Sequence, residues 1–95
     1  MKFAFIIMGD FNADTDTAVI HNASARIIGV ADLKEACEAA MKLREDGIDC
    51  IELCGAFGVE GAKEVIRATG NQICVGYITH LPEQDELYRA TFQHN

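Results

Sequence analysis

The sequence predicts a single α/β domain built on a mainly parallel sheet, with three crossover or flanking helices. From Arg26 onward, strand-like and helix-like segments alternate, the pattern of crossovers between parallel strands. Ninety-five residues at 10.4 kDa give material for one core, since two would each fall near the size that needs metals or disulfides. The chain, residues 1–95, is therefore read as one domain. Apolar residues make up 49% and charged ones 24%, which separates it from a disordered acidic tail. A dimeric ferredoxin-like α+β arrangement is the alternative architecture.

Phe3 to Met8 is a continuous apolar run that suits a strand covered on both faces. Asp10 to Thr17, with three Asp and one Asn, reads as a loop. Ala18 to His21 and Arg26 to Val30 are β-branched runs flanking Asn22-Ala23-Ser24-Ala25, a short hairpin or a strand with a broken lead-in. From Asp32 the period becomes helical, through Leu33, Cys37, Ala40 and Leu43. Asp32 and Glu35 form a capping box, and Gly47 stops the helix after Asp46. Ile48 to Cys54 follows as a strand, then a glycine-punctuated turn, then a helix from about Glu60 that Gly70 ends. Ile73 to Thr79 is another strand, and Pro82 opens a last helix running to about Gln93.

Charge and composition limit the partners. Eight Lys and Arg against fifteen Asp and Glu leave a net charge of −7, the wrong sign for nucleic acid or an anionic membrane. No stretch approaches the ~20 apolar residues that span a bilayer. The opening apolar run is too short for a signal peptide. The four cysteines, Cys37, Cys50, Cys54 and Cys74, lie in regular segments with apolar neighbours and read as buried thiols. A reducing cytoplasmic setting is the resulting expectation.

Ligands of parallel sheets bind outside the carboxyl ends of the strands, so the candidate site is that rim. It would gather Gly9 and Asp10, Glu52 and Cys54, and Thr79 and His80. Strand alternation puts Glu52 between Cys50 and Cys54 on a face expected to be covered. A buried carboxylate must be paired, with Arg26 or Arg67 for example, or protonated and thereby suited to acid or base work. His80 offers proton transfer at neutral pH, or simply a loop hydrogen bond. Cys54 is either a thiol nucleophile facing His80 or a small core residue.

Gly55, Gly58 and Gly61 are spaced GxxGxxG, unlike a dinucleotide fingerprint or a P-loop. Their backbone amides could hold an anion, and tight-turn geometry is the plainer explanation. Asp10, Asn12, Asp14 and Asp16 begin like a calcium loop but lack its Gly and its final Glu, so no metal site is assigned. No cofactor is implied. Tyr88 and Phe92 on the last helix, with exposed sheet edges, favour a homo-oligomer.

Lys2 to Phe11, Gly47 to Gly58 and Gly76 to Pro82 together resemble a family of short, uncharacterised bacterial proteins classed as a domain of unknown function. That resemblance implies a small bacterial cytoplasmic protein and transfers no catalytic residue. Gly47 to Leu53 also resembles the Gly-x-Asp-x-x-Glu-Leu strand of (β/α)8 enzymes such as the tryptophan synthase α subunit, which would make Glu52 an acid or base. A complete barrel takes roughly 200 residues or more. The functional expectation is a small-molecule site at the strand carboxyl ends, with lyase or isomerase proton transfer by Glu52 and His80. The alternatives are a non-catalytic module for an anionic metabolite and a structural homo-oligomer subunit. These residues are compatible with an enzyme and with a non-catalytic module alike.

Overall fold

The computed structural model describes residues 1–93, and the mainly parallel α/β architecture is what it shows. Five strands form one sheet: β1 (Phe3–Met8), β2 (Thr17–Ile20), β3 (Ala25–Val30), β4 (Cys50–Leu53) and β5 (Cys74–Tyr77). Their order is β2-β3-β1-β4-β5, and only the β2–β3 pair is antiparallel. The ferredoxin-like alternative is not the fold observed. β2 and β3 form the hairpin, whose turn places His21, Asn22 and Ala23 at positive φ.

Helix α1 (Leu33–Glu45) joins β3 to β4, and α2 (Gly58–Ala68) joins β4 to β5. Both steps run in the same direction across the sheet, so right-handed crossovers place both helices on one face. Asp32 caps α1 as expected, its Oδ1 accepting from the Glu35 N–H at 2.8 Å. Glu35 Oε1, however, accepts from the Ala31 N–H at 2.8 Å, one residue before the partner a capping box requires. Gly47 takes φ +82° just past the helix end. Helix α2 begins two residues earlier than the pattern predicted, because buried Phe57 seats on Gly61 and fixes the first turn.

The core lies between the sheet and these two helices. Ala4 and Ile6 of β1, Ile51 and Leu53 of β4, and Ala36, Ala40, Leu43 and Val65 of the helices fill it. The other sheet face carries Phe3, Phe5, Ile7, Ile27, Cys50 and Glu52, and none of these is buried. The expectation that β1 is covered on both faces is therefore corrected. The segment between β1 and β3, where a crossover helix would shield this side, is a loop and an edge strand. Phe11 folds back onto it, over Gly29.

After β5, a 3-10 turn (Pro82–Gln84) leads into α3 (Asp85–Phe92). Helix α3 buries none of its residues against the rest of the chain. It is held at its start: His80 Nε2 lies 2.7 Å from Asp85 Oδ1, and the His80 ring stacks on Tyr88 with centroids 3.9 Å apart.

Candidate functional site

Parallel pairing brings the carboxyl ends of β1, β3, β4 and β5 to one rim, as the fold class requires. Gly9 N–H donates to Val30 O, Cys54 N–H to Ile6 O, and Ile78 N–H to Leu53 O, which draws the rim segments together. Gly55 approaches Ile78 there. Asp10 and Thr79 are exposed on this rim.

Glu52 lies two residues below the rim, in register with Phe5 and Gly76. Its carboxylate leans over β5, where a methyl group at Gly76 would stand 2.6 Å from Oε1. The face expected to cover it is open, and neither expected arginine pairs with it. Arg26 binds Asp46 at 3.0 Å, and Arg67 binds Glu64 on its own helix. Cys50 Sγ is 3.6 Å from Glu52 Oε1. His80 lies beyond the end of β5, in the segment that leads to Pro82. Its ring is occupied by Asp85 and Tyr88.

The thiols are less buried than composition indicated: Cys37, Cys50 and Cys54 are half-buried, and Cys74 is exposed. Cys54 Sγ accepts from the Met8 N–H at 3.3 Å, which turns it toward β1. Burial raises the Cys37 thiol pKa, reinforced by the Glu64 charge and opposed by Arg67. The Cys50 thiol is pushed up to about 12, first by burial, then by its hydrogen bond with Cys74 and the nearby Cys74 and Glu52 charges.

The glycine turn splits in two. Gly55 stays in the turn, and Gly58 takes φ +64° at the helix start. Gly61 is buried within α2, and its N–H donates to Phe57 O, so it offers no amide to a ligand at the rim. In the acidic loop, Asn12 N–H donates to Asp16 and Asp14 N–H to Asn12, so these side chains hold the loop's own backbone. Among the described residues no three His, Cys, Asp or Glu side chains converge on a common metal position.

Among the described residues, none of the predicted site residues lines either of two cavities beside the sheet. A shallow one of about 380 Å³ sits on the open face among Ile7, Phe11, Ala18 and Ile27. The larger, about 790 Å³, is a groove between α1 and the β2–β3 hairpin, lined among others by Asn12, Thr17, Arg26, Glu38, Lys42 and Asp46. Arg26 spends Nη1 on Asp46 while its buried Nε has no hydrogen-bond partner. The sequence offers Arg26 as a partner for Glu52 and does not mark it as a groove residue. The available signal was a long cation in an otherwise apolar strand, next to a hairpin that leaves one side of α1 uncovered.

The model of the family of unknown function DUF6506 matches residues 1–93, and the chain belongs to that family. No curated protein and no solved structure shows a match. Among the described residues no helix is long and apolar enough to cross a membrane.

Proposed function

We propose that the protein is a non-catalytic binding module for a small metabolite carrying an anionic group, with the α1–hairpin groove as its site. The observation that carries this reading is the groove itself, where Arg26 keeps a buried donor without an acceptor. Its volume falls within the range of small-molecule sites. An unsatisfied buried donor costs about 1–3 kcal/mol, which an incoming oxygen acceptor would relieve after a small adjustment of the guanidinium. Lys42 adds a second cation, whereas Asp14 and Glu38 on the same walls oppose a simple polyanion. The chemistry that fits both signs is a small hydroxy acid or amino acid, its carboxylate toward Arg26 and its hydroxyl or ammonium toward Glu38.

Proton transfer by Glu52 and His80 fits the geometry less well, because the His80 ring is engaged by Asp85 and stacked on Tyr88. The test is thermal unfolding with a panel of small hydroxy acids, amino acids and inorganic phosphate. A ligand at ten times its Kd adds about 1.4 kcal/mol, or roughly 6–11 °C in Tm for a chain of this size. Stabilisation that disappears in Arg26→Met supports the reading. No shift across the panel, or an undiminished shift in Arg26→Met, refutes it.

The open sheet face and helix α3 favour a second property, self-association. Leu81 and Leu87 of the terminal segment are 65% and 62% exposed, and the uncovered face presents Phe3, Phe5, Ile7 and Ile27. A second copy laid against these surfaces would supply the missing layer.

A further inference from the structure

We propose that Cys50 and Cys74 form a modification site, a dithiol that closes to a reversible disulfide across the β4–β5 ladder when a hydroperoxide oxidises it. The two residues are register partners on adjacent parallel strands. Neighbouring strands lie about 4.8 Å apart, inside the Cα separation a disulfide accepts. Register partners direct their side chains to the same side, here the face that carries neither α1 nor α2. β5 is an edge strand and Cys74 is exposed, so an oxidant reaches it without opening the fold. The other two thiols are placed differently: Cys54 is turned toward β1, and Cys37 sits on α1 against the core.

Cys74 is the exposed thiol of the pair and Cys50 is half-buried, which assigns the first step to Cys74. The Cys74 thiolate attacks one peroxide oxygen, the O–O bond breaks, and the alcohol or water leaves, giving a sulfenic acid. The Cys50 sulfur then attacks the Cys74 sulfur. The S–S bond forms as the S–O bond breaks, and the departing hydroxyl leaves as water with the Cys50 proton. Two thiols and one hydroperoxide thus become one disulfide, one alcohol and one water. Glu52 stands beside Cys50 and is positioned to receive that proton in transit.

The experiment treats the native full-length protein with hydrogen peroxide and follows intact mass, free-thiol count and peptide mapping. The expected product has lost two hydrogens, retains two of the four thiols, maps to a Cys50–Cys74 link and reverts with dithiothreitol. In Cys50→Ser, Cys74 should instead stop at a sulfenic acid trapped by dimedone. Oxidation that stops at sulfinic acid in the wild type, or a disulfide joining any other pair, overturns the proposal. A redox-independent measurement guards against a destabilised variant. The native wild type should take up one equivalent of a monosubstituted trivalent arsenical, which bridges two adjacent thiols, and the exposed-site variant Cys74→Ser should not. Equal uptake by both would also overturn it.

Discussion

Gly29→Ala probes the contact by which Phe11 shields part of the open sheet face. A methyl group at Gly29 would lie 2.7 Å from Phe11 Cγ and 2.9 Å from Phe11 Cβ, so the obstruction includes the root of the side chain and rotation of the ring does not relieve it. Phe11 is 37% exposed, leaving about two-thirds of its side chain buried, worth roughly 1–2 kcal/mol. Ejecting the ring loses most of that, and forcing the contact costs about 1–3 kcal/mol. Alanine returns roughly 0.5–1 kcal/mol over glycine in a strand. The expected net loss is about 1 kcal/mol, or roughly 4–8 °C in Tm. Urea denaturation of wild type, Gly29→Ala, Phe11→Ala and the double variant measures it. Without its aromatic anchor the loop can yield, so the second substitution should cost little, giving an interaction energy of at least about 0.5 kcal/mol. Additive costs, or a Gly29→Ala protein as stable as wild type, would refute the reasoning.

Gly76→Ala should cost far less, because its obstruction is the tip of the flexible Glu52 side chain; denaturation midpoints compared with those of Gly29→Ala check this. Asp32→Ala removes the α1 cap and should destabilise by about 0.5–2 kcal/mol in the same assay. The Cys50 thiol is held protonated in the fold, up to about 12 against an ordinary value of 9.0. The unfolded chain therefore releases its proton first. Stability from this group is full below pH 9 and is lost progressively as pH rises from 9 toward 12, which alkaline denaturation should show less steeply in Cys50→Ser. Light scattering should find a particle larger than the 10.4 kDa monomer at micromolar concentration, and a monomer would remove the self-association reading.

Local sequence determined what local physics controls. The cap at Asp32, the left-handed stop at Gly47, the hairpin before β3 and the apolar periods of α1 and α2 each depend on neighbours within a few residues. The alternation of strand and helix was enough to read a parallel sheet and hence the rim. Exposure of the second face was not legible, because an apolar run such as Phe3 to Met8 reads the same whether its outer side meets a helix or water. That outcome depended on both crossovers stepping the same way across the sheet, a property of strand order. Strand order also separated Glu52 from its expected arginines, set Cys50 opposite Cys74 from twenty-four residues away, and left Arg26 beside a groove. Each is a contact between distant segments, decided by which strands pair and in what register, and no periodicity along the chain encodes it.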